Sequence, residues 1–207
     1  MRVILYNISW MSFNILLALV AVLFGWLMKR TKWMLLRILY GVVWIIFLPN
    51  TLYLLTDVVH FLQNMHRVKV MGKLIVVFQL IVVFQYLLLI LLGVITYFAA
   101  VYPAEKVAVE KMKWNQIIFI LLINGFVSFG IILGRVERAN SWYFVTNLPR
   151  LLHDSMQVFT SLNLVLLILF FTLLSTLLYL SLRASLPRIL RRRGKPHLPA
   201  FRKPGQF

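Results

Sequence analysis

The run WMLLRILYGVVWIIFLPNTLYLLTDVVHF, residues 33–61, decides the fold class of this chain. Its first two thirds are almost entirely apolar, and about 20 such residues suffice for a helix to cross the hydrocarbon core of a bilayer. Its end then adds a proline, an amide, a carboxylate and an imidazole. Because polar groups are costly inside a membrane, this run predicts both a membrane-spanning helix and a functional site at one end of it.

The rest of the chain repeats the apolar pattern. The protein has 207 residues, of which 62% are hydrophobic, and its apolar runs predict five membrane spans, with six as the alternative. The predicted spans lie at roughly residues 3–28, 33–55, 73–101, 114–133 and 157–182. We therefore predict an all-α, polytopic transmembrane helix bundle with one domain at 1–182 and a basic tail at 183–207.

The segment GRVERANSWYFVTNLPRLLHDS, residues 134–155, separates the fourth and fifth spans. It is too polar to cross a membrane and too aromatic for a plain linker. We expect an interfacial or re-entrant segment with its aromatic side chains at headgroup depth, and a helix that begins near Pro149.

The basic residues predict the topology. The formal net charge is +17, and the predicted spans put 15 of the 22 Lys and Arg residues on one side of the membrane and 7 on the other. The positive-inside rule then gives a plasma-membrane protein with its N-terminus outside and its C-terminus in the cytoplasm. The tail is expected to contact anionic lipids, and no nucleic-acid partner is expected. The absence of cysteine excludes disulfides and thiolate sites.

Polar residues form stripes at the predicted outer ends of three helices. At helical spacing each stripe spans an arc of about 80–100°. The stripes consist of Asn50, Tyr53, Asp57, His60 and Asn64; of Asn124, Ser128, Arg135 and Arg138; and of Arg150, His153, Asp154, Gln157 and Ser161. Since such stripes avoid lipid, we expect them to converge on one outward-facing polar pocket.

The predicted pocket binds a small polar, anionic or lipid-headgroup ligand. Arg135 and Arg138 would hold an anion, and Asp57 with His60 would form hydrogen bonds or handle a proton. The candidate pocket residues are Asn50, Tyr53, Asp57, His60, Asn124, Arg135, Arg138, Asn140, Trp142, His153 and Asp154.

Other interpretations of the same residues stay open. Asp57, His60, His153 and Asp154 could ligate a divalent metal, although no cofactor is evident and neighbouring arginines would repel a cation. A lipid-active or metal-dependent enzyme using Asp57 and His60, a transport path, and a structural or assembly factor are the alternatives. No catalytic residue and no oligomeric state can be assigned from the sequence.

Pro49 predicts a kink in the second span, because proline removes one backbone hydrogen bond from a continuous helix. The alternative is a true break that exposes backbone groups to the pocket, as in the discontinuous helices of transporters. The kink is the favoured interpretation.

Two motifs resemble a known family. PNTLYLLTDVVH, residues 49–60, and GRVERANSW, residues 134–142, resemble the bacterial multi-pass membrane protein family called domain of unknown function 1361. The matching residues are Pro49, Asn50, Tyr53, Thr56, Asp57 and His60, then Gly134, Arg135, Arg138, Asn140, Ser141 and Trp142. The chain departs from the family pattern at Thr51, Leu52 and Tyr143. The resemblance implies a multi-pass membrane fold and supplies no activity.

Overall fold

The structure, a computed structural model, describes residues 2–56, 75–136 and 143–193, and these ranges are helical apart from short connections. The helices are α1 (Arg2–Arg30), α2 (Met34–Phe47), α3 (Pro49–Thr56), α4 (Ile75–Lys106), α5 (Gln116–Val136), α6 (Tyr143–Thr146), α7 (Leu148–Thr160) and α8 (Leu162–Arg193). A π-helix, Val107–Lys111, continues directly from α4.

Five helical stretches within the described ranges are long and apolar enough to cross a membrane. They are Leu5–Arg30, Met34–Thr56, Gln79–Lys111, Gln116–Val136 and Leu162–Ser185. The predicted all-helical fold with five spans is therefore confirmed for the described residues.

The last span begins later than predicted. Gln157 belongs to α7, which ends at Thr160, and Ser161 has extended backbone angles of φ −96° and ψ 110°. The carbonyl of Ser161 then accepts the first hydrogen bonds of α8, from the amides of Leu164 and Val165, each at 3.1 Å. The chain thus turns between α7 and the last candidate membrane span at one residue.

Pro49 kinks the second span and does not end it. Leu48 alone separates α2 from α3 and keeps helical angles of φ −57° and ψ −41°. The amide of Thr51 donates to the Leu48 carbonyl at 3.1 Å, and the Asn50 side-chain amide donates to the Phe47 carbonyl at 3.0 Å. In a regular helix the Thr51 amide would donate to the Phe47 carbonyl. Here it donates to Leu48, and the Asn50 side chain supplies the hydrogen bond to the Phe47 carbonyl. The favoured interpretation of Pro49 is supported.

Two glycines let α3 pack closely between α4 and α5. A Cβ added at Gly93 would lie 3.0 Å from the Thr51 carbonyl oxygen, and one added at Gly130 would lie 2.7 Å from Pro49 Cβ. Small residues are the usual means by which membrane helices approach each other. The kinked segment, which carries the first motif, is therefore held against α5, which leads into the second.

Candidate functional site

Arg135 joins the two motif-bearing helices. It lies in the last turn of α5, where its Nε donates to Thr56 Oγ1 at 2.9 Å and its Nη2 donates to the Tyr53 carbonyl at 3.3 Å. Its guanidinium carbon stands 4.0 Å from the centre of the Tyr53 ring. The ends of α3 and α5 therefore meet, and we call this end of the bundle the motif end.

The contacts of Arg135 fix the orientation of its guanidinium group. The stacked Tyr53 ring restricts the guanidinium plane, and the Thr56 hydroxyl is itself held by donating to the Tyr53 carbonyl at 2.8 Å. Guanidinium groups bind carboxylate and phosphate through paired N–H donors in a rigid fork. A half-buried arginine whose plane is fixed in advance loses less side-chain entropy when it binds an anion.

Helix α7 begins as its sequence predicts. The side chain of Asn147 accepts from the Arg150 amide at 3.3 Å, and Pro149 occupies the first turn, where its missing N–H costs nothing. The local signals for a helix start are thus sufficient without tertiary contacts.

Helix α7 presents three different faces. One face packs towards α5 and α8 and buries Asp154 and Val158 with the partly buried Leu151. A second face is apolar and exposed, with Leu148, Leu152, Met156 and Phe159. A third is polar and exposed, with Arg150, His153, Gln157 and Thr160. A helix with one lipid-compatible and one water-compatible exposed face suits a membrane interface, as expected for this segment.

The structure separates two residues that the sequence analysis put on one stripe. Asp154 is only 7% exposed and points towards the bundle, and its Oδ2 lies 3.6 Å from Arg150 Nε. His153 is exposed and its Nε2 lies 3.0 Å from the side-chain nitrogen of Gln157. Arg150 in turn stacks at 5.2 Å on the Tyr143 ring. The predicted stripe spans an arc of about 100° around the helix, so one edge of it can face the bundle while the other edge faces outwards.

Asn124 lies deeper, in a different group of polar residues. The Tyr97 hydroxyl is 2.5 Å from Asn124 Oδ1 and 3.1 Å from the Ser175 carbonyl, and Asn124 Nδ2 donates to Thr176 Oγ1 at 3.1 Å. Both Tyr97 and Asn124 are fully buried. These contacts join α4, α5 and α8, so in this structure Asn124 bonds helices together and does not line the space around Arg135.

Five of the candidate pocket residues lie outside the described residues: Asp57, His60, Arg138, Asn140 and Trp142. The convergence of all three stripes therefore stays a prediction. Within the described ranges there is no group of three or more His, Asp or Glu side chains that could hold a metal ion. Since two of the four predicted ligands are among the undescribed residues, the metal site also stays a prediction.

The sequence analysis missed a buried ionic cluster at the opposite end of the bundle, where α1 ends and α5 begins. Glu105 is 1% exposed, accepts a short hydrogen bond from the Tyr179 hydroxyl, and pairs with Arg183 Nη2 at 2.9 Å. The Gln116 side-chain oxygen accepts from the same guanidinium in the orientation that satisfies both groups. The i, i+4 spacing of Ser175, Tyr179 and Arg183 was the available signal, because it puts a polar row on one face of α8.

Comparison with known proteins gives one match. The family model described as "Protein of unknown function (DUF1361)" matches residues 13–177, roughly four fifths of the chain. Neither a curated protein nor a solved structure matches the chain. The matched range contains both motifs and all four residues that hold the motif end together, namely Tyr53, Thr56, Arg135 and Pro49.

Proposed function

Because the chain belongs to the DUF1361 family of membrane proteins, whose description names no activity, we propose a function from the motif end itself. The protein binds a small anionic ligand there, either a free anion or the headgroup of a lipid, with Arg135 as the central anion-binding residue. The site faces the outside of the plasma membrane of a bacterial cell.

The orientation of Arg135 carries this proposal. Its guanidinium stacks on Tyr53 and donates to Thr56, so its plane is set before any ligand arrives. Hydrogen bonds to a charged group contribute about 1.5–3 kcal/mol each, and less of this is lost to side-chain ordering when the guanidinium is oriented before the ligand binds. Arg150, which is half exposed and stacked on Tyr143, adds a second cation near the membrane interface.

We assign to Asp57 and His60 the role of contacting the polar part of the ligand. This assignment rests on their sequence positions, one and four residues after the end of α3 at Thr56. A histidine beside a carboxylate can donate a hydrogen bond or take a proton near neutral pH. Arg138, three residues after Arg135, is assigned to the anion on the same grounds.

Ligand binding is tested by thermal unfolding of the detergent-purified protein in the presence of inorganic phosphate or of glycerol phosphate, which is a water-soluble analogue of a phospholipid headgroup. We expect stabilisation of the wild type that Arg135→Ala abolishes, because losing one charge-assisted contact weakens binding about 10-fold or more. Arg30→Ala is the matched control, since Arg30 is an exposed arginine at the opposite end. Equal stabilisation of all three proteins would refute the site.

Topology is tested with single cysteines, because the chain has none of its own. Gln157→Cys lies on the exposed polar face of α7, and Lys32→Cys lies in the exposed connection between α1 and α2. The proposed orientation predicts that a membrane-impermeant maleimide labels the cysteine at 157 in intact cells and the cysteine at 32 only after lysis. The reverse pattern would overturn the orientation.

A structural or assembly role is the second candidate function. The observation that favours it is that Arg135 donates to Thr56 and to a carbonyl of α3, which ties two helix ends together. In that case Arg135→Ala lowers the unfolding temperature without any ligand, and no anion stabilises the wild type. A lipid-active or metal-dependent enzyme instead requires metal or substrate turnover that is lost in both Asp57→Ala and His60→Ala.

A further inference from the structure

Two lysines from different helices lie near the same tyrosine ring at the end opposite the motif end. Lys29 Nζ, from the last turn of α1, lies 5.7 Å from the centre of the Tyr102 ring and 5.1 Å from that of Trp26. Lys106 Nζ, from the last turn of α4, lies 5.8 Å from the same Tyr102 ring. The two segments are distant in sequence, so only the packing of α1 on α4 creates this pair.

Further cations hold the end of α1 in place. Lys111 Nζ donates to the Lys29 carbonyl at 2.9 Å, and Arg37 Nη2 donates to the Thr31 carbonyl at 2.9 Å. Cations are favourable at the negative C-terminal end of a helix. Within the described part of the chain Arg37 Nε is buried and has no hydrogen-bond acceptor. This corner therefore has a cationic donor that the described residues do not satisfy.

The charge at this corner is strongly unbalanced. Segments 26–37 and 102–114 contain the basic residues Lys29, Arg30, Lys32, Arg37, Lys106, Lys111 and Lys113. Their acidic residues are Glu105 and Glu110 alone. Glu105 is paired with Arg183 from α8, and Glu110 is paired with Lys106 at 3.0 Å. The other basic side chains leave this corner with a net positive charge, which favours the binding of an anionic group from outside the chain.

Exposed tryptophans and apolar side chains border the same corner. Trp33 is 74% exposed and Trp114 is 47% exposed, and tryptophan is enriched where a membrane meets water. Exposed apolar side chains follow along α1 and α2, including Leu23, Leu35 and Leu39. A bound molecule with an anionic head and apolar chains would match both surfaces. Basic sites between membrane helices bind anionic lipid headgroups in this way.

We infer that Lys29, Lys106 and the neighbouring Arg37 form a specific site for an anionic phospholipid, with its phosphate among these cations and its acyl chains along α1 and α2. The site is separate from the anion site proposed at Arg135 and separate from the basic tail. It is formed by folded helix ends, so its affinity depends on their geometry and not only on the number of positive charges.

The test counts phosphatidylglycerol molecules retained by the full-length protein in native mass spectrometry, after release from nanodiscs of phosphatidylglycerol and phosphatidylcholine. Lys29→Gln with Lys106→Gln should weaken retention roughly tenfold or more, since each basic residue at a surface contributes to lipid binding. The tail variant Arg202→Gln with Lys203→Gln removes the same charge and should retain the lipid. Unchanged retention in the first variant, or equal loss in both, would overturn the inference.

Two further measurements make the test independent of folding defects. Lys29→Arg with Lys106→Arg keeps the charges and should retain phosphatidylglycerol as the wild type does. In the wild type, phosphatidylglycerol brominated near the glycerol end of its acyl chains should quench tryptophan fluorescence more than equally brominated phosphatidylcholine at the same mole fraction, because Trp26, Trp33 and Trp114 border the site. Equal quenching by the two lipids would contradict a specific site.

Discussion

Replacing Gly130 by alanine should destabilise the protein because α3 and α5 touch at this position. A Cβ at residue 130 would lie 2.7 Å from Pro49 Cβ and closer still to Pro49 Cγ. An ordinary carbon contact needs about 3.5–4.0 Å, so the two helices must separate by roughly 1 Å. The proline ring is part of the backbone and cannot rotate away. Overpacking of this kind costs about 1–3 kcal/mol.

Helix propensity offsets part of that cost. Alanine is favoured over glycine in a helix interior by about 1 kcal/mol, so the net loss at Gly130 should be about 0–2 kcal/mol, and Gly130→Ala should be about 1–3 kcal/mol less stable than an alanine substitution that meets no neighbour. Gly125 provides the matched control on the same helix, since a Cβ added there meets nothing within 4 Å. Gly125→Ala should therefore be neutral or stabilising by up to about 1 kcal/mol.

The assay is unfolding of both variants in detergent by titration with a denaturing detergent, followed by circular dichroism. Gly130→Ala should also weaken any anion binding at the motif end, because Arg135 and Tyr53 lie about one helical turn beyond the displaced contact. If Gly130→Ala is as stable as Gly125→Ala, the close approach of α3 to α5 is wrong, and so is our account of how Arg135 is positioned.

Three other substitutions test polar contacts, two of them buried and one exposed. Tyr97→Phe leaves the buried Asn124 Oδ1 without its hydroxyl donor and should lower the free energy of unfolding by about 1 kcal/mol in the same assay. A variant as stable as the wild type would refute this. Glu105→Ala removes the partner of Arg183 and should lower the free energy of unfolding by about 2–4 kcal/mol. This is less than for a fully buried pair, because Arg183 is 36% exposed and can reach water. The double substitution Glu105→Ala with Arg183→Ala should cost less than the sum of the two single substitutions. Lys106→Gln breaks an exposed pair with Glu110 and should leave the unfolding midpoint unchanged, because solvent screens the pair; a clear loss of stability would contradict the exposed geometry.

Local signals in the sequence were sufficient for several elements. The five spans follow from apolar run length, since the lipid interior acts on each segment separately. The kink at Pro49 and the start of α7 at Asn147 and Pro149 follow from backbone chemistry within a few residues. Arg135 lies 4.0 Å from the Tyr53 ring because both stand at the same ends of neighbouring spans, while the pocket expected around them stays a prediction.

Other features were decided by helix rotation and packing. The sequence analysis grouped Asn124 with Arg135 by helical projection, but α5 is long enough for the two residues to meet different neighbours, and Asn124 bonds Tyr97 and Thr176. Projection gives the angle of a side chain around its own helix and carries no information on its neighbour at each depth. The division of α7 into three faces has the same origin, because two helices bury one side of it.

The sequence by itself determined that this protein is a helical membrane bundle with five candidate spans, and which residues at the motif end are too polar for lipid. Only the tertiary structure decided that Glu105 pairs with Arg183, and that Lys29 and Lys106 lie near the same Tyr102 ring. These residues are 77 or more positions apart, and no local pattern relates them. Which side chains come together depends on how closely and at what rotation the helices pack. At Gly25 of α1, for example, an added Cβ would lie 2.8 Å from the Ala100 carbonyl oxygen of α4, so the small residue permits the close approach of these two helices.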